Sequence, residues 1–172
     1  MTPNLQVFVE DSFACVKIVG RANFNLSTAF ETLLNELYRK KYDCFLMDLS
    51  ECLLMDSSFL GVLVGFAVKL NSPDGNKPAS RIGLHNANPT VLQLFDDLGV
   101  LDLFQTSQGE PAACDGKEAK AVPATPASKA EVTRTCLEAH RTLMALNPDN
   151  ARRFKDVTRF LAEDLKKLQG GS

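Results

Sequence analysis

The residues Cys44-Phe45-Leu46-Met47-Asp48-Leu49-Ser50, followed by Asp56-Ser57-Ser58-Phe59-Leu60-Gly61 and an apolar run to Leu70, constrain this chain most. An apolar run of strand length ends at Asp48. After a short connection, Asp-Ser-Ser opens a long, mostly apolar helical segment. A strand placed there points its end at two hydroxyls and a carboxylate, where the first amides of a helix have no internal partners. Ser and Asp suit a helix start because their oxygens accept from those free N–H groups. On local chemistry alone, the feature is a helix cap.

The segments on either side supply a sheet and its helices. Residues 5–9 and 13–19 read as two strands joined by the polar turn Glu10-Asp11-Ser12, and Gly20 breaks the pattern. Thr28 with Glu31 fits a capping box for a helix through Ala29, Leu33, Leu34 and Leu37 to about Arg39. Asn71-Ser72-Pro73-Asp74-Gly75-Asn76 is a turn, and residues 80–85 form another strand. Asn88-Pro89 starts a third helix with proline at its first position; Gly99 ends it, and residues 100–104 close the unit. The order strand, strand, helix, strand, helix, strand, helix implies an α/β fold, a mixed β-sheet with helices packed mainly on one face.

Residues 107–128 lack periodicity and are rich in small residues and proline, so they read as a flexible linker. Periodicity returns in 129–172. Val132, Cys136, Ala139, Leu143 and Leu146 form one helical face, and Phe154, Val157, Leu161, Leu165 and Leu168 form another. Asn147-Pro148-Asp149 between them stops one helix and starts the next, which makes an appended C-terminal helical hairpin. So short a hairpin needs the body, a second copy (a homodimer through these helices) or another protein to cover both stripes. The expected domains are 1–106, a linker over 107–128, and the hairpin over 129–172.

Composition narrows the function classes. The formal net charge is −2, with 8 basic against 12 acidic side chains in 1–106 and 9 against 6 in 129–172. The basic groups of the tail alternate with acids and lack an aromatic platform, which argues against nucleic acid. No run approaches the roughly 20 apolar residues of a membrane helix, and no secretion signal opens the chain, so a cytoplasmic protein without membrane insertion is expected. The five cysteines have no close metal or redox spacing and are expected to be reduced, with Cys52 alone near the functional loop. No metal-ligand cluster and no phosphate-cradling glycine loop is present, so no metal or cofactor is expected. A serine at a strand-to-helix turn raises hydrolysis. The glycine-flanked elbow is absent around Ser57, however, and the two histidines, His85 and His140, are assigned a strand end and the hairpin surface. No catalytic residue is assigned.

The motif Met47-Asp48-Leu49-Ser50, the loop, and Met55-Asp56-Ser57-Ser58 with Leu60-Gly61 and Gly65 behind it resembles the STAS domain of anti-sigma factor antagonists and sulphate-transporter tails. The resemblance covers residues 1 to about 106. It implies a regulatory protein that binds an anti-sigma factor/serine kinase and is switched by phosphorylation of the serine after the aspartate, here Ser57. It also implies that Asn23, where the family often has an acidic residue, lies close to that serine. Phe59 stands where the family usually has glycine. The alternative is a STAS scaffold or accessory subunit, in a stress-signalling assembly or a transport ATPase, not controlled by phosphorylation.

The serine helix itself carries two apolar stripes. Leu60, Leu63, Val64 and Ala67 are assigned to the core. Phe59, Val62 and Phe66 are assigned to an exposed partner surface together with Asn23, Asp56 and Ser58, with Gly61 and Gly65 permitting close approach of a neighbouring backbone, since surface helices show one stripe and exposed apolar patches mark contacts; the alternative is that the C-terminal hairpin covers this stripe, in the same chain or in a dimer.

Overall fold

The computed structural model describes residues 2–71, 82–110, 119–123 and 127–170. Among them a mixed sheet of seven strands is built from β1 (Asn4–Glu10), β2 (Phe13–Ala22), β3 (Cys44–Asp48), β4 (Cys52–Met55), β5 (Ile82–His85), β6 (Gln105–Ser107) and β7 (Lys120–Ala121). The order is β6-β5-β3-β2-β1-β7, with β4 paired to the end of β2. β1 runs antiparallel to β2 and β7, while β2, β3, β5 and β6 run parallel.

Register sets the two faces. Leu5 lies opposite Ile18, and Val7, Val16 and Met47 align, as do Ala14, Phe45 and Ile82. These residues belong to the main core beneath α1 (Phe24–Arg39), α2 (Ser57–Asn71) and α3 (Pro89–Asp97). On the other face, Cys15 packs in a small separate cluster with Phe8, Phe13 and Leu46. Cys15 is disulfide-bonded while Cys44, Cys52 and Cys136 are free thiols, so the expectation of reduced cysteines does not hold at Cys15.

Three local expectations shift. Gly20 does not end β2; its φ of 84° lets the strand bulge and go on to pair with β4. β4 replaces the expected loop. Asn23 caps α1, its side chain accepting from the Asn25 amide, so the helix starts a turn before Thr28, whose hydroxyl is buried without a hydrogen-bond partner. As expected, Asn88 caps α3 with Pro89 at its first position, and Gly99 follows its end at φ 70°. The turn expected over residues 71–76 lies outside the described residues apart from the end of α2.

The hairpin forms from α4 (Lys129–Leu146) and α5 (Pro148–Gly170). Ser128 caps α4 through the Glu131 amide, and Asn147 caps the next helix through the Asp149 amide. Ala139, Leu143 and Phe154 join the same buried cluster as the sheet and α2. Of the expected linker, residues 111–118 and 124–126 lie outside the described residues, while 120–121 form the strand paired to β1.

α2 sits in the middle of this packing. Phe59 stacks on Phe30 of α1 with ring centroids 4.2 Å apart, and Phe66 meets Phe45 of β3 and Tyr38 of α1 edge-on. Phe59, Val62 and Phe66 are therefore buried, which corrects the expectation that they form an exposed partner surface. The reason is physical: a helix that is apolar all round is a buried helix, not a surface helix with a spare stripe.

Candidate functional site at the start of α2

Asp56 and Ser57 stand where β4 hands over to α2. The Leu60 amide bonds the Asp56 carbonyl, the first turn of the helix. Asp56 is the cap: its Oδ1 accepts from the Phe59 amide at 2.8 Å, while Oδ2 accepts from the Phe24 amide at 2.7 Å. One carboxylate thus fastens the starts of α1 and α2 together, and brings Asn23, the cap of α1, beside the serine helix. Burial pushes the Asp56 carboxyl above the usual range, opposed by these amides, by His140 and by the Ser58 amide.

Ser57 is the first residue of α2 and is half-buried. Its Oγ lies 2.9 Å from Nε2 of His140 on α4. His140 Nδ1 lies 2.7 Å from the Cys136 carbonyl, which can only accept, so Nδ1 carries the proton. In the neutral ring Nε2 is then the acceptor, and the Ser57 hydroxyl donates to it. His140 is buried and packs edge-on against Phe154 at 4.8 Å, so it is not the surface residue that its place on the hairpin suggested. Ser58, next in the chain, is buried, and its side chain lies beside the Cys136 thiol.

α4 approaches along the glycines of α2. A Cβ built on Gly61 would lie 2.6 Å from the Ala139 carbonyl oxygen, so the two backbones touch there. The sequence showed that Gly61 and Gly65 allow a close neighbour; it did not show that Ala139 and His140 are that neighbour.

A serine donating to a histidine is a pair that can deprotonate a nucleophile. The rest of an acyl-transfer site is unfavourable, because the amides at the helix start that would stabilise an oxyanion are engaged by the Asp56 carboxylate. His85 is far from this pair in role: its Nδ1 meets the Ser107 hydroxyl at 2.7 Å and its Nε2 the Glu110 carbonyl at 2.5 Å, tying the end of β5 to β6 and beyond. Cys52 is buried, with its thiol pushed up to about 11 by desolvation, the opposite of a reactive cysteine. Among the described residues no cluster of three or more potential metal ligands occurs, and no helix is long and apolar enough to cross a membrane.

Comparison with solved structures places the fold in a class. The chain is similar in fold to the anti-sigma factor antagonist SpoIIAA in its unphosphorylated form, at 15% identity and a TM-score of 0.51 over 60% of this chain and 87% of that one. It is also similar to a putative anti-sigma factor antagonist from Thermotoga maritima, at 18% identity and a TM-score of 0.52, covering 62% of this chain and 86% of that one. An anti-sigma factor antagonist from Mycobacterium paratuberculosis matches at 16% identity and a TM-score of 0.51 over 66% and 90% of the two chains. The class is thus the fold of anti-sigma factor antagonists. The STAS domain family model matches residues 4–113, and the chain belongs to that family. No curated protein matches the chain.

Proposed function

We propose that this protein is a non-enzymatic regulator of the anti-sigma factor antagonist kind, which binds an anti-sigma factor/serine kinase and is switched by phosphorylation of Ser57. The observation that carries the reading is the position of Ser57: the first residue of α2, directly after the capping Asp56, and only partly buried. A kinase would transfer the terminal phosphoryl group of a nucleoside triphosphate to Oγ, which gives up its proton as the nucleoside diphosphate leaves. The product carries about −1.5 to −2 charge and three acceptor oxygens. A partner surface fitted to a neutral hydroxyl then meets bulk and unfavourable desolvation, and dissociates.

In this reading Asn23 and Asp56 frame the serine, whereas Ser58 is buried and does not form the exposed partner surface expected of it. The exposed Phe24, Leu53 and Leu54 beside them offer the partner an apolar contact that Phe59, Val62 and Phe66 do not. Cytoplasmic residence belongs to the same reading, and the Cys15 disulfide, a bond that cytosolic thiol systems disfavour, is the observation that weighs against it. A second copy could pair along α5, which leaves Val157, Phe160 and Leu168 exposed.

Phosphopeptide mapping of the protein from its native cells tests the proposal. Phosphate on Ser57 supports it; phosphate confined to Ser58, or none across growth and stress conditions, defeats it. The alternative, a STAS scaffold or accessory subunit without phosphorylation, draws on one observation: α4 already occupies the glycine side of the serine helix.

A further inference from the structure

The family match ends at residue 113, yet the group that holds Ser57 comes from α4, well beyond it. A contact of 2.9 Å between Oγ and Nε2 is a hydrogen bond with no space for further atoms. The α4 side cannot yield locally. His140 is 4% exposed, its Nδ1 is bonded within its own helix, and its ring is backed by Phe154. α4 meets the backbone of α2 at Gly61, where the nearest atom is the Ala139 carbonyl oxygen and not a side chain that could swing aside.

Charge acts in the same direction. A helix start ordinarily welcomes phosphate through its free amides. Here Asp56 engages the Phe59 and Phe24 amides, so a phosphoryl group on Ser57 would add its charge beside a partly dehydrated carboxylate. Seating that charge in the seam between α2 and α4 needs either more room than 2.9 Å or a cation beyond the one imidazole facing it.

We propose that the α4–α5 hairpin is a releasable cap on α2. It docks while Ser57 carries a free hydroxyl, and a phosphoryl group on Ser57 drives it off and uncovers the Gly61–Gly65 face. The proposal rests on Ser57 being the phosphoacceptor and assigns that modification a second consequence within the chain itself.

The test uses the full chain with phosphoserine installed genetically at position 57, which needs no kinase. Amide hydrogen exchange is followed by mass spectrometry against the unmodified protein, with Gly61→Ala, whose methyl group would meet the Ala139 backbone, as the reference for an undocked hairpin. The expected result is exchange at least tenfold faster across α4, with β2 and β3 keeping their protection. Unchanged or greater protection of α4 would overturn the cap, because the phosphate would then be turned to solvent or held by His140. Loss of protection in β2 and β3 as well would overturn it too, since the body and not the docking would be failing. A cell in which Ser57 is never phosphorylated would remove the functional proposal and leave this result standing.

Discussion

Ser57 and His140 are 83 residues apart in sequence and 2.9 Å apart in space. The bond spans the junction between the STAS domain and the hairpin, so the stability of that junction governs how accessible the serine is. Four consequences can be measured.

Gly61 and Gly65 should respond oppositely to alanine. At Gly61 the added carbon would sit 2.6 Å from the Ala139 oxygen, whereas at Gly65 the nearest atom, on Thr142, is 3.8 Å away. Gly61→Ala should destabilise the full chain by about 1–3 kcal/mol through overpacking. In a chain ended at residue 110 the same change should stabilise by up to about 1 kcal/mol, the helix-propensity gain. Gly65→Ala should be neutral or stabilising in both. Urea denaturation of the four variants measures this, and equal signs for Gly61→Ala in both lengths would mean that α4 does not dock there.

Asn150 fastens the hairpin corner to the body. It is fully buried, and its Nδ2 donates to the Leu98 carbonyl at 2.9 Å and the Leu143 carbonyl at 3.0 Å. Leu143 lies in the last turn of α4, where helix carbonyls lack intrahelical partners. Asn150→Ala should cost about 2–3 kcal/mol by leaving two buried acceptors without a donor. Asn150→Asp should cost more, since it turns a carboxylate toward two carbonyl oxygens. Thermal denaturation of both variants gives the order.

Phe66 is held between Phe45 and Tyr38 in the core. Phe66→Ala should cost about 3–5 kcal/mol, the usual loss for a buried phenylalanine. Phe66→Asp should prevent folding, seen as loss of the cooperative transition by circular dichroism. A folded Phe66→Asp protein that has lost only partner binding would restore the exposed stripe read from the sequence.

Glu31 should make the protein less stable as pH rises. Its carboxyl is pushed above the usual 4.5 by burial first and by Glu138 second, with Arg134 opposing; Lys69 lines the same cleft of about 150 Å³. A carboxyl with a folded pKa above its unfolded one binds more protons when folded, so its contribution is favourable below the unfolded pKa and lost as pH rises through the folded one. Asp56 is shifted in the same direction by its own burial. Glu31→Gln should therefore stabilise at pH 7, by about 0.5 kcal/mol or less for a half-screened charge, and the gain should vanish once the pH falls below Glu31's unfolded pKa. Melting temperatures from pH 4 to 8 decide it, and a gain independent of pH would exclude the charge as its cause.

The local punctuation of the chain was legible because its causes lie within one turn of helix. Asn88-Pro89, Gly99 and Asn147-Pro148-Asp149 act on amides or carbonyls two to four residues away, and each stands where the sequence reading put it. The Asp56-Ser57 motif is of the same kind, a cap and the residue behind it. The STAS fold followed from that motif and from the alternation of strand and helix periods.

The start of α1 was misread because two caps compete in one stretch. Thr28 and Glu31 have capping-box spacing, but Asn23 captures the helix five residues earlier, where Asp56 of a distant segment also anchors the Phe24 amide. That second anchor is tertiary, and no local pattern contains it. β4 has the same origin: Cys52 to Met55 is a strand because Gly20 bulges and lets β2 reach it.

Periodicity says which residues share a face of α2 but not what each face meets. The stripe of Phe59, Val62 and Phe66 and the glycines beside it were both visible in the sequence. Only the packed chain shows that α1 and the sheet take the phenylalanines and α4 takes the glycines. The reason is physical: one helix's pattern determines what must be buried, whereas the covering partner depends on the geometry of every other element competing for that surface. The sequence alone thus determined a STAS domain with an Asp-Ser motif at a helix start and a helical hairpin, and only tertiary packing decided that the hairpin closes over Ser57.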